Sequence, residues 1–101
     1  MNREYASFRE FYPAYLAEHR NPVCRRLHFA GSAAVLFAFA AAAAMRNGRW
    51  LLAAPALGYG FAWAGHFFFE HNKPATFRHP LYSLAGDWFM FRDILTGRMR
   101  L

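Results

Sequence analysis

Five histidines, His19, His28, His66, His71 and His79, are the residues best suited to carry chemistry in this chain. A neutral imidazole offers a lone pair to a borderline metal such as Fe or Zn, and a nearby carboxylate adjusts the charge. Glu70 follows His66 by four residues and shares its face if the segment is helical. Three protein ligands would leave coordination positions open for a substrate. The competing expectation is that the histidines make interfacial hydrogen bonds. HExxH, CxxC, a Gly-rich phosphate loop and a G-x-S-x-G elbow are all absent. Ser83 and Asp87 are four apart, but nothing places a histidine base against Ser83. Cys24, beside Arg25 and Arg26, is read as a structural thiol rather than an activated one.

The elements that must position these side chains follow from the charge pattern. Leu27–Met45 gives 19 residues without a formal charge, and Trp50–Phe69 gives 20 more. At about 1.5 Å per residue each run makes a helix of about 30 Å, the thickness of a bilayer core. Between them lies the polar turn Arg46-Asn47-Gly48-Arg49, with Gly to reverse the chain. The expectation is an all-α membrane hairpin of two transmembrane helices, about 27–45 and 50–69, in a single domain over 1–101. The alternative is a soluble bundle with two buried helices. Nine alanines dilute the first run, whereas Tyr59, Trp63 and four Phe enrich the second. Small residues recur at four-residue spacing at Ala30 and Ala34, Ala54 and Gly58, Gly60 and Ala64, as in closely packed membrane helices.

A hairpin centred between Asn47 and Gly48 sets position 28 opposite position 67, so His28 and His66 share a depth. His19 precedes the first span by about two turns, and Pro22 is expected to bend the chain there. All five histidines then approach one end of the hairpin.

The flanks are expected to be amphipathic helices. Tyr5, Phe8, Tyr12 and Tyr15 form one stripe, with Pro13 as a break or a start; Leu81, Leu84, Trp88, Phe91 and Leu95 form the other. They would rest on the membrane surface, cover the hairpin end or pack together. Arg3, Arg9, Arg20, Arg25 and Arg26 precede the spans, Lys73, Arg78, Arg92, Arg98 and Arg100 follow them, and the turn holds two arginines. The positive-inside rule puts both termini in the cytoplasm of a multi-pass protein, at the inner membrane if bacterial. Glu4, Glu10 and Glu18 argue against a cleavable signal.

Composition excludes other classes. With 56% hydrophobic and 18% charged residues the chain is not intrinsically disordered. One cysteine excludes a disulfide-stapled domain. The net charge of +6 falls on basic residues that flank apolar spans, which suits anionic lipid or an acidic lipid substrate and not nucleic acid.

Four ordered blocks carry a family resemblance: Phe8 to Pro22, Arg26-Leu27-His28-Phe29-Ala30-Gly31, Gly65 to Thr76, and His79 to Asp87. Over nearly its whole length the chain resembles the family of the membrane-bound, Fe(II)-dependent 2-hydroxy fatty acid dioxygenase of phytosphingosine alpha-oxidation. The resemblance implies a metal role for His19, His28 and His66, and ranks His71 and His79 lower because other residues are common there. It matches Glu70 and Asp87 to positions assigned here to catalysis, and Asn72 to one assigned to substrate. The implied reaction shortens a lipid-derived 2-hydroxy acid by one carbon, with molecular oxygen as co-substrate. Arg20, Arg25 or Arg26 would pair with the acid's carboxylate. The tail would lie along the aromatic second helix. A homo-oligomer is compatible with this expectation. The competing classes are a non-enzymatic membrane protein that assembles with a partner, and a metal-dependent lipid hydroxylase or hydrolase.

Overall fold

The computed structural model describes residues 5–74 and 77–100. Arg3 and Glu4 of the N-terminal flank, and Ala75 and Thr76 of the third block, lie outside the described residues. The described chain is all helical: α1 (Phe8–Ala17), α2 (Pro22–Met45), α3 (Arg49–Gly65), a π-helical turn (His66–Glu70) and α4 (Pro80–Leu95).

Local chemistry sets each boundary. Ser7 caps α1 by accepting from the Glu10 N–H, and Pro13 lies inside this helix rather than at either end of it. Asn21 caps α2 by accepting from the Val23 N–H at 2.8 Å, with Pro22 in the first turn, where its fixed φ and missing donor cost nothing. The helix therefore begins five residues before the charge-free run and carries Cys24, Arg25 and Arg26 on its first turns. At the hairpin turn the left-handed residue is Arg46, at φ 51°, while Gly48 is right-handed at φ −67°. The Arg46 N–H reaches back to the carbonyls of Ala42 and Ala43, so the reversal needs no glycine conformation.

α2, of 24 residues, is about 36 Å long and is the one described helix long and apolar enough to cross a membrane. α3 stops at Gly65 after 17 residues, about 25 Å, because the chain widens into the π turn. The expected second span thus ends its regular helix before His66.

α2 and α3 pack as an antiparallel pair through small residues. A Cβ added to Gly31 would lie 3.0 Å from Phe61 Cβ and 3.2 Å from the Gly58 carbonyl. Ala38, Ala54 and Ala62 are buried nearby. Of the expected small-residue rows, Ala54 and Gly58 lie in this region, whereas Ala30 and Gly60 are exposed because the helices are rotated to present Gly31 instead.

α1 lies on α4 through Phe11, Tyr15, Met90 and Ile94. Burial of Phe11, Met90 and Ile94 contributes about 1.5–3 kcal/mol each. Gly86 lets the two helices approach: a Cβ there would meet the Tyr15 ring at 3.1 Å. The expected α4 stripe does not form this contact. Leu81 is 80% exposed and Leu84 and Leu95 also face outward, while Ser83, Gly86 and Asp93 are buried. The expected stripe is divided: its leucines are exposed, Trp88 packs on Val35, Ala38 and Ala54, Phe91 stacks on Phe29, and the face with Gly86, Met90 and Ile94 meets the rings of α1.

Candidate metal centre

Three histidines from three separate elements meet in the interior. His19 follows α1, His28 sits two turns into α2, and His66 opens the π turn. They are 0%, 6% and 2% exposed. Their ring centroids lie 4.4 Å (His19–His28), 4.5 Å (His19–His66) and 5.0 Å (His28–His66) apart, with interplanar angles of 86°, 75° and 88°. The expected common depth of His28 and His66 is realised.

Each ring is held from outside by Nδ1. His19 Nδ1 lies 2.6 Å from the Tyr15 carbonyl oxygen. A carbonyl only accepts, so Nδ1 donates and Nε2 is left with a lone pair. His66 Nδ1 lies 2.7 Å from Asn72 Oδ1, while Asn72 Nδ2 donates to the Glu18 carbonyl, which fixes the amide's orientation. His28 Nδ1 faces Asp87 Oδ1 at 3.4 Å. The same oxygen accepts from the Tyr15 hydroxyl. Burial and the charge of Asp87 hold the Tyr15 phenol well above its ordinary pKa, so it remains a donor. Burial and the two neighbouring imidazoles push the His19 pKa well down, so this ring is neutral.

The Nε2 atoms of His19 and His28 face each other at 3.2 Å, while their Nδ1 atoms point outward to the Tyr15 carbonyl and Asp87. Two nitrogens about 2.1 Å from one first-row ion, at bond angles between octahedral and tetrahedral, lie about 3.0–3.4 Å apart. The donor set therefore fits a divalent metal. Cys24 completes the group: one ligand atom from each of His19, Cys24, His28 and His66 lies within 4.8 Å of the others, and all four residues are buried. Sequence reasoning set Cys24 aside as a structural thiol. The available signal was its spacing, four residues before His28 and thus on the same helix face. Gly65 makes room for it, since a Cβ there would stand 2.9 Å from Cys24 Sγ.

The other expected site residues take different places. His71 is exposed and left-handed, at φ 60°, where it ends the π turn. His79 stacks among Tyr5, Phe11 and Tyr82. Both stand outside the four-residue group. Glu70 accepts from the Asn21 backbone N–H and from the Cys24 thiol, tying the π turn to the start of α2. Asn72 supports His66 and Asp87 supports His28. The Arg25 guanidinium is spent on backbone carbonyls, donating to His19 O at 3.0 Å, Arg20 O at 2.9 Å and Arg100 O at 3.1 Å. It thereby fixes the loop that carries His19. Arg20 and Arg26 are exposed. A cleft of about 560 Å³ opens from His28 and Asp87 and continues between α2 and α3.

The model of the family described as 2-hydroxy-palmitic acid dioxygenase Mpo1-like matches residues 5–99 of this chain. No curated protein and no solved structure matches it.

Proposed function

The chain belongs to the 2-hydroxy-palmitic acid dioxygenase Mpo1-like family, and on that premise we propose that it is an Fe(II)-dependent dioxygenase that shortens a lipid-derived 2-hydroxy fatty acid by one carbon at the membrane. The observation that carries this reading is the convergence of three buried imidazoles, each with an outer partner beside its Nδ1. Such outer partners set the tautomer and raise the basicity of a ligating imidazole.

Iron held there would supply a Lewis-acidic, redox-active point where the acid's hydroxyl and carboxylate meet molecular oxygen. The protein's part is positional. His19, His28 and His66 hold the ion. Asn72, Asp87 and the Tyr15 carbonyl keep the rings aimed inward. Arg25 and Glu70 brace the two connections, on either side of α2 and α3, that carry His19 and His66. Arg20 and Arg26 provide positive charge on the carboxylate's approach. Cleavage of the C1–C2 bond with one dioxygen balances as the shorter acid, carbon dioxide and water, so no external reductant is needed.

The membrane reading rests on what faces outward. Only 22% of the apolar window of α2 is buried, and Phe37, Leu52, Phe68 and Leu81 are 64–80% exposed. In water this belt would be an aggregation surface; in lipid it is a solvated one. α3 extended by the π turn reaches from Arg49 to Glu70 and serves as the second span, with both termini cytoplasmic.

The test is oxygen uptake by anaerobically purified, Fe(II)-loaded protein given 2-hydroxy fatty acids of graded length. Uptake matched by a one-carbon-shorter product is the expected result. A product of unchanged carbon number, or no turnover at any length with iron bound, overturns the reading.

A further inference from the structure

The cleft beside the metal centre has a direction. Its α2 wall runs His28, Ser32, Val35 and Phe39; its α3 wall runs Ala62, Gly58, Ala54 and Leu51. These are single faces of two helices, spaced by three and four residues. Because the helices are antiparallel, Ala62 stands at the His28 end and Leu51 at the Phe39 end. Polar groups are concentrated at the first end, with His28, Asp87 and Ser32, and the far end is wholly apolar.

Its dimensions are those of an acyl chain. From position 28 to position 39 the helix rises about 16 Å. An extended hydrocarbon advances about 1.25 Å per bond for tetrahedral C–C bonds of ~1.5 Å, so the cleft takes roughly 13 bonds, or a chain of about 14 carbons. The volume of about 560 Å³ lies within the ordinary range for sites that enclose a small molecule. Its floor is the closed seam of α2 and α3: at Gly58 even a Cβ would stand 3.2 Å from Val35 Cγ2.

We propose that this cleft is the acyl subsite, holding a long unbranched chain with its carboxyl end at His28 and Asp87 and its methyl end at Phe39 and Leu51. The tail then lies along the seam of the two long helices, beside Leu84 and Trp88 of α4, not along the outside of the aromatic one. Gly58, near the middle, and Leu51, at the far end, become the residues that set chain length. The assignment rests on the dioxygenase reading for the head group but not for the chain.

Trp88 lines the cleft and packs on Val35, Ala38 and Ala54, which gives a direct binding readout. With Trp50→Phe and Trp63→Phe in place, Trp88 is the only tryptophan, and its fluorescence reports contact with saturated fatty acids brominated near mid-chain. The proposal expects quenching by a 16-carbon probe. Gly58→Leu should weaken that binding by at least about tenfold and restrict turnover to acids shorter than roughly 10 carbons, with metal content unchanged. Leu51→Trp, at a half-exposed position, should affect only the longest chains and covers the case in which Gly58→Leu does not fold. Unchanged quenching and an unchanged length profile in the folded variants overturn the subsite. Iron-loaded wild type that turns over no 2-hydroxy acid, yet loses 16-carbon binding on Gly58→Leu, overturns the reaction and keeps the subsite.

Discussion

His19 and His28 present their Nε2 atoms to each other across 3.2 Å, and each ring turns its Nδ1 outward, to the Tyr15 carbonyl and Asp87 respectively. In the tautomer with both protons on Nδ1, two lone pairs face each other there, and a cation between them relieves the repulsion. Acceptors beside both Nδ1 atoms favour that tautomer, which is the one that binds a metal.

Loss of any one converging imidazole should abolish stoichiometric metal. Elemental analysis of purified protein should give about one metal ion per chain for wild type, and far less for His19→Ala, His28→Ala or His66→Ala. His71→Ala and His79→Ala, whose rings lie elsewhere, should retain it. Equal loss across all five variants would point to a general folding defect.

The outer partners should matter less than the ligands but measurably. Asn72→Ala and Asp87→Ala each remove the group that faces a histidine Nδ1. Metal affinity, measured by competition with a chelator, should fall by about 10–100-fold in each. An unchanged affinity would show that packing alone orients the rings.

Two glycines should be intolerant for steric reasons. A Cβ on Gly65 would meet Cys24 Sγ at 2.9 Å and Cys24 Cα at 3.1 Å, and one on Gly86 would meet the Tyr15 ring at 3.1 Å. The α-carbon contact cannot be relieved by a rotamer change. Gly65→Ala and Gly86→Ala should each cost about 1–3 kcal/mol, read as a lower thermal midpoint, despite alanine's better helix propensity. Gly60→Ala, with nothing within 4 Å, should be neutral or stabilising.

Acid should loosen α1 from α4. Asp93 accepts from the Tyr12 hydroxyl at 2.6 Å and pairs with Arg92 at 3.2 Å. Burial alone would raise its pKa, but the bonds from Tyr12 and Arg92 outweigh it and hold the carboxyl below its usual range. A carboxyl with a depressed folded pKa adds stability above the unfolded value, about 3.9, and loses it as pH falls through the folded one. The thermal midpoint should therefore drop as pH is lowered below about 4. Tyr12→Phe should make that drop shallower. A pH profile identical to wild type would assign the acid sensitivity to other groups.

The sequence alone determined the helical class, the long apolar run, the basic flanks and the shared depth of His28 and His66, because all of these follow from charge spacing and the helix repeat. It also carried the family's blocks. It misplaced what depends on rotation about a helix axis. Gly31 rather than Ala30 faces α3, and the expected stripe of α4 is divided, with its leucines exposed and Trp88 and Phe91 turned to α2, since ring packing against α1 selects the face with Gly86, Met90 and Ile94. It also missed the end of α3, because a π turn has no compositional signature, and that turn is what directs His66 inward. That Cys24 joins His19, His28 and His66 was the tertiary structure's alone to decide. Their ligand atoms converge only when Asn21 caps α2, Arg25 clamps the loop after α1 and Gly65 clears the space beside Cys24. Each of those is a contact between residues that no periodicity relates.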